Sequence, residues 1–420
     1  MKILHTSDWH IGRSLYGTRR YEEFTKYLNW LNETIEKENI SILLIAGDIF
    51  DTSAPGSRAQ ELYYKFLCKL TTSKCRHIII TAGNHDSPSF LEAPKELLKV
   101  INVRVSAAIT DNISDEVLTL KDTAGNPEII VCAVPYLRDK DIRTAESGES
   151  ISDKNKKINE GIKNHYNKVF EYAEKVQSEI FKTHKNYLPI IAMGHLFAAG
   201  GKTTDGDGVR ELYIGTLAHI DKSIFPESIS YTALGHLHVP QVVASTPPIR
   251  YSGSPLPIGF GESEQKKLVI IVEFNTKDSN VKTPQATIKE IEVPRFQALK
   301  LIKGDFDKIS KELDILKQKA ISTWVEIQYT GKEIIGNLKE QIEIKTENSP
   351  IEVLRIQNKQ IMDRTLTQTV PEESLEKLSE VDVFKRCLEA AEIPKEQYVI
   401  LEELYAHTLK LITETDNSNK

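Results

Sequence analysis

Five apolar runs in this chain each end in a short polar turn carrying a carboxylate, an imidazole or an amide. Ile3-Leu4 leads to Asp8 and His10, the run from Ile42 to Ala46 leads to Asp48, and Ile78-Ile79-Ile80 leads to Asn84 and His85. Farther along, the run from Leu188 to Met193 ends in Gly194-His195, and the run from Ser230 to Leu234 ends in Gly235-His236-Leu237-His238. Between several of these runs the apolar residues change to helical spacing. Phe24, Leu28, Leu31 and Ile35 follow the first run, and a helix is expected from Ser57 to about Leu70. Strands alternating with helices describe an α/β domain whose polar residues gather at the strand ends.

The remaining elements follow from the same reading. Val117 to Val134 forms a hairpin turning at Gly125-Asn126, and a long charged helix covers about Ser152 to His184. A polar stretch from Asn275 to Pro284 reads as a linker, so the first domain is expected over residues 1–275. A βαβαβ unit is expected over 281–360, and two amphipathic helices over 371–414 carry Leu375, Leu378, Val381, Phe384 and Leu388, then Tyr398, Leu401, Tyr405 and Ile412. Those faces either pack on their own domain or dock on a partner.

Composition narrows the class. A chain of 420 residues calls for two or three domains, and 40% hydrophobic with 27% charged residues is ordinary for a globular protein. The net charge of −6 supplies no overall basic signature for nucleic acid. Four cysteines without a CxxC pair argue against both a disulfide framework and a thiolate zinc site, and suit a cytoplasmic protein. No signal peptide or stretch of membrane-spanning length is evident, so no membrane partner is expected.

The chemistry rests on the five turns. Carboxylates, neutral imidazoles and one amide oxygen suit divalent transition metals such as manganese, iron or zinc. Two adjacent cations need a bridging anion to hold them roughly 3.5–4 Å apart, and Asp48 has two oxygens to share. Such a pair would bind a phosphate, lower the pKa of a water between them and neutralise charge during in-line attack, so phosphate-ester hydrolysis is the expected reaction class. Asn84 would face a metal while His85 points into the substrate space, where an imidazole stabilises the transition state or protonates the leaving alkoxide. Asp86 would either orient His85 or cap the helix that begins at Ser87-Pro88.

In this order, Asp-x-His, Gly-Asp-x-x-Asp, Gly-Asn-His-Asp, Gly-His and Gly-His-x-His resemble the signature of the calcineurin-like metallophosphoesterases over about the first 275 residues. His5 to Arg13, Gly47 to Asp51 with Pro55, and Tyr251-Ser252-Gly253-Ser254-Pro255 look like the SbcD family within it, relatives of the Mre nucleases. The resemblance implies an α/β (α+β) fold, a two-sheet sandwich flanked by helices, with the βαβαβ unit as a C-terminal capping domain. It implies that Asp8, His10, Asp48 and His238 hold one metal and Asp48, Asn84, His195 and His236 the other, with His85 catalytic. It further implies two manganese ions, cleavage of DNA as a double-strand exonuclease and a single-strand or hairpin endonuclease, and a homodimer. The terminal helices would bind SbcC, an SMC-like ATPase that hydrolyses the ATP. Accordingly, this chain has no Gly-x-x-x-x-Gly-Lys-[Ser/Thr] loop. Arg13, Arg19, Arg20 and Arg58 are candidates for DNA phosphate contacts.

Overall fold

The computed structural model describes residues 1–144, 149–198, 220–275, 281–331 and 337–358, together with 333, 335, 384, 388, 398, 401, 402 and 405. The chain divides into two compact units, Met1–Ala298 and Leu299–Lys420.

The first unit is built on two six-stranded sheets. In the first, β1 (Lys2–Thr6), β4 (Ile42–Ala46), β5 (His77–Thr81) and β6 (Val103–Ser106) run parallel, and β13 (Leu268–Phe274) and β14 (Ala286–Glu292) extend it antiparallel beyond β1. A small hairpin, β2 (Ser14–Leu15) with β3 (Thr18–Arg19), follows β1. The second sheet has the order β11 (Gln241–Ser245), β12 (Pro248–Tyr251), β10 (Tyr231–Gly235), β9 (Ile190–His195), β8 (Pro127–Ala133) and β7 (Val117–Lys121). At its centre β8, β9, β10 and β12 are parallel.

Alternation along the strands explains why their sequences read as unbroken apolar runs. Ile3, Leu44, Met193 and Ala233 fill the layer between the sheets. Their neighbours Leu4, Leu43 and Ile45 face a core with α1 (Tyr21–Glu38) and α2 (Ser57–Leu70) on the outer side of the first sheet. Ile190, Ala192 and Leu234 face α3 (Ile151–His184) on the outer side of the second. Full burial of each such aliphatic side chain is worth roughly 1.5–3 kcal/mol. The hairpin over Val117–Ala133, the helix at Ser57–Leu70 and the long helix to His184 stand where the sequence places them.

The limit at residue 275 does not coincide with the boundary between the units. β14 pairs with β13 along its whole length, from Leu268↔Glu292 to Phe274↔Ala286, and belongs to the first unit. It is an edge strand with its side chains largely in solvent, so it lacks the apolar run that announces an interior strand.

The second unit, from Leu299, has the βαβαβ order, and its first strand begins at the boundary rather than near 281. β15 (Ala298–Gly304), β16 (Thr323–Tyr329) and β17 (Ile351–Asn358) form a three-stranded sheet, with helices over Phe306–Lys319 and Leu338–Thr346. Ile309, Leu313 and Ile342 pack on Ile302, Val325 and Ile327 to form its core. Most of the helical pattern expected over 371–414, including Leu375, Leu378, Val381 and Ile412, lies outside the described residues. Among those described, the rings of Phe384 and Tyr405, one from each expected helix, stack with centroids 4.0 Å apart. No helix among the described residues is long and apolar enough to cross a membrane.

Candidate metal centre

The eight residues singled out by sequence all lie just beyond, or at, the carboxyl ends of parallel strands. Asp8 and His10 follow β1, Asp48 follows β4, and Asn84 and His85 follow β5, while His195 ends β9 and His236 and His238 follow β10. Parallel pairing of β1 with β4, of β4 with β5, and of β9 with β10 brings these ends to one side of the sandwich.

Tight loops hold the groups close at a conformational cost. Asp8 (φ 52°), His10 (φ 47°), Asp48 (φ 50°) and His236 (φ 100°) all adopt left-handed backbone, which costs roughly 1–3 kcal/mol per residue. Hydrogen bonds between loops offset this: Asp8 N donates to Gly47 O, His10 N to Asp48 O, and His236 N to the Asp8 carboxylate. The glycines that precede the functional residues leave room for neighbouring groups. A methyl on Gly83 would overlap Asp48 Oδ1, and one on Gly235 would overlap Ala46 O.

Asp48 stands between the two halves. Its Oδ2 is 3.6 Å from His10 Nε2 and 3.2 Å from His195 Nε2, and its Oδ1 accepts from His85 N at 2.9 Å. On one side the ligand atoms of Asp8, His10 and His238 lie within 4.8 Å of one another, with His10 Nε2 facing His238 Nε2 at 3.3 Å. On the other, Asp8, Asp48 and His195 form a second such group, and Asn84 Oδ1 is 3.0 Å from both His195 Nε2 and His236 Nδ1. His195 Nδ1 sits 2.9 Å from Ala46 O, an obligatory acceptor, so the proton belongs on Nδ1 and Nε2 turns toward Asp48. Oxygen and imidazole donors converging on one buried point fit a pair of divalent cations.

Ionisation follows from the same packing. Burial pushes His236 down to about 3 and also lowers His10. Burial opposes ionisation of Asp48, but the imidazoles of His195, His10 and His85 hold its carboxyl well below the usual range. For His195, burial favours the neutral form, yet the Asp48 and Asp8 carboxylates raise it to about 9. Without an ion, His195 is therefore protonated at neutral pH, and a cation must displace that proton from Nε2. Ion uptake at pH 7 should release about one proton, and affinity should climb with pH until about 9 and then level off. Calorimetry of manganese binding in buffers of different ionisation enthalpy measures this; uptake without proton release would contradict it.

His85, like Asn84, is half-buried, whereas the other six are buried. Its Nδ1 lies 2.9 Å from Asp51 O, so Nδ1 carries the proton and Nε2 remains for another contact. Its ring meets that of His10 edge-on at 4.9 Å.

Several contributors have no strong local signal. Asp51 ends the Gly-Asp-x-x-Asp motif but carries no role in the sequence reading. In the structure its Oδ1 lies 3.4 Å from His10 Nδ1 and accepts from Arg13 at 3.0 Å, while its carbonyl holds His85. Ser7 donates to Asp8 Oδ2 at 2.5 Å and meets Ser252 Oγ at 2.8 Å, which ties the Tyr251–Pro255 motif to the centre. Asp86 takes neither expected part. It is buried and accepts from the backbone N–H groups of Ile49, Phe50 and Gly83, pinning two loops together, while Ser87 caps the following helix. Arg20 is also reassigned. Its buried guanidinium grips Glu23 through two bonds and donates to Pro257 O, so it is a packing residue and cannot meet a phosphate.

Comparison with known proteins places this arrangement. A family model described as calcineurin-like phosphoesterase matches residues 1–240, and one described as type 5 capsule protein repressor C-terminal domain matches residues 295–392. The SbcD subunit of nuclease SbcCD from Escherichia coli (strain K12) is 33% identical over 413 residues, spanning 97% of this chain and 98% of that protein. Its namesakes from Rhodobacter capsulatus and Bacillus subtilis are 35% and 32% identical, over 62% and 65% of this chain and 64% and 66% of their own lengths.

Proposed function

This chain belongs to the calcineurin-like metallophosphoesterases, in their SbcD branch, and from that premise we propose that it is a two-metal DNA nuclease and the nuclease subunit of an SbcCD-type complex. The observation that carries this reading is the position of Asp48, within 3.6 Å of His10 on one side and 3.2 Å of His195 on the other. Asp8, His10, Asp48 and His238 would hold one cation, and Asp48, Asn84, His195 and His236 the other. Manganese suits this mixture of carboxylate, imidazole and amide donors. Bound cations would supply Lewis acidity, activating the attacking water and neutralising charge on the phosphate.

The chain's own residues do the rest. Asp48 keeps its negative charge between the two donor groups, and Asp51 and Ala46 orient the imidazoles of His10 and His195. The Asp51 carbonyl fixes the His85 tautomer with Nδ1 protonated, so the imidazolium form can deliver a proton from Nε2 to the leaving alkoxide. Arg13 and the exposed Arg19 and Arg58 are the candidate phosphate contacts that remain once Arg20 is excluded. The substrates are double-stranded ends, cut as an exonuclease, and single strands or hairpins, cut as an endonuclease. The proposed setting is DNA repair, replication and recombination in the cytoplasm, at the nucleoid. A homodimer would bind the SbcC ATPase through residues 371–414, with the unit that starts at Leu299 as the capping domain.

The test is cleavage of linear duplex and hairpin DNA by the purified chain, with and without SbcC, after chelation and after adding back manganese. Chelation should abolish cleavage and manganese should restore it. Intact DNA alongside hydrolysis of a small phosphate ester would leave a phosphoesterase and sink the nuclease reading.

A further inference from the structure

The centre is braced from behind by a buried ion pair that no motif announces. Glu262 and Lys267 are 0% and 4% exposed, and Lys267 Nζ donates to Glu262 Oε2 at 2.5 Å. The same oxygen accepts from Ile258 N at 3.0 Å. The other carboxylate oxygen, Oε1, lies 3.6 Å from His238 Nδ1. Lys267 Nζ reaches the same residue from its backbone side, donating to His238 O at 3.0 Å and to Ser254 Oγ at 3.0 Å. Gly253 (φ 71°) completes the clamp, since a methyl there would lie 2.6 Å from His238 O.

We propose that Glu262, backed by Lys267, is a positioning residue that sets the tautomer and ring orientation of His238. The proposal rests on the dimetal reading above. A carboxylate can only accept, so Oε1 at 3.6 Å favours the proton on His238 Nδ1 over Nε2 and leaves the Nε2 lone pair toward His10 Nε2, 3.3 Å away. A carboxylate behind a metal-bound imidazole also raises the basicity of the ligand, and its loss typically costs about 10–100-fold in metal affinity. A buried ion pair is a poor source of stability, because the desolvation of both charges offsets their attraction. Directing a ligand is a use that repays its retention.

The experiment compares manganese binding to the full chain, by calorimetry and by electron paramagnetic resonance, in the parent, Glu262→Gln, and Glu262→Gln/Lys267→Met. The double variant removes both buried charges together, so the fold survives if the single variant leaves Lys267 intolerably unpaired. The parent should bind two ions and show the spectrum of a coupled pair. Both variants should lose about 10–100-fold at one site only, and at intermediate manganese they should show the spectrum of an isolated ion. A folded variant that binds two coupled ions with parental affinity at both sites would overturn the role of Glu262. A parent that binds no second ion would overturn the dimetal reading itself, and this inference with it.

Discussion

Asp48→Asn should cost more than about 10³-fold in manganese-dependent DNA cleavage, beyond the roughly 10²–10³ typical of one lost electrostatic stabiliser. The substitution is nearly isosteric and keeps an oxygen for the His85 N–H, now 2.9 Å from Asp48 Oδ1. What it removes is charge at a side chain within 3.6 Å of His10 Nε2 and 3.2 Å of His195 Nε2. Without that charge His195 loses the nearer of the two carboxylates that lift its pKa to about 9, and Asp8 is left as the carboxylate common to both donor groups. Both ions should therefore bind more weakly, not one of them. Metal content after gel filtration, measured beside the initial rate on linear duplex, decides the matter. A variant that keeps two ions and cuts within about tenfold of the parent would show that Asp48 is not the bridge.

His85→Ala should also disable cleavage, by about 10²–10⁴-fold, the usual worth of a general acid, but with two ions still bound. The backbone N–H of residue 85 stays in place to hold Asp48, and the lost side-chain bond runs only to the Asp51 carbonyl. The competing possibility is concrete, because ligand atoms of His10, Asp51 and His85 also lie within 4.8 Å of one another. If His85 holds an ion, the alanine variant will lose metal in proportion to activity. A rate defect at saturating manganese would separate the two, as would its rescue by a substrate whose leaving group needs no proton.

The interior strands, the helices over Ser57–Leu70 and Ile151–His184, and the eight candidate site residues are legible in the sequence because each leaves a local trace. A buried strand needs a run of apolar residues on both faces, and a carboxylate or imidazole just after such a run has few structural reasons to be there. β14 escapes such a reading because an edge strand exposed to solvent needs no apolar run. Asp86 misleads because Asp before Ser-Pro has the pattern of a helix cap, whereas its actual partners are the N–H groups of Ile49 and Phe50 on another loop. Arg20 resembles a surface cation in sequence, and only its neighbours Glu23 and Pro257 show otherwise.

By itself the amino-acid order determined the α/β class, the candidate donor groups and the class of chemistry, since these depend on periodicity and on residue types at fixed offsets. The tertiary structure alone decided which groups meet. His10 stands beside His238 and His195 beside Asn84, across 228 and 111 positions of sequence, because parallel strands from two sheets end on the same side. It alone brought in Glu262 and Lys267, which stand behind His238 without any motif of their own. A ligand can be recognised by its residue type, but the group that orients it is defined only by where it sits in space.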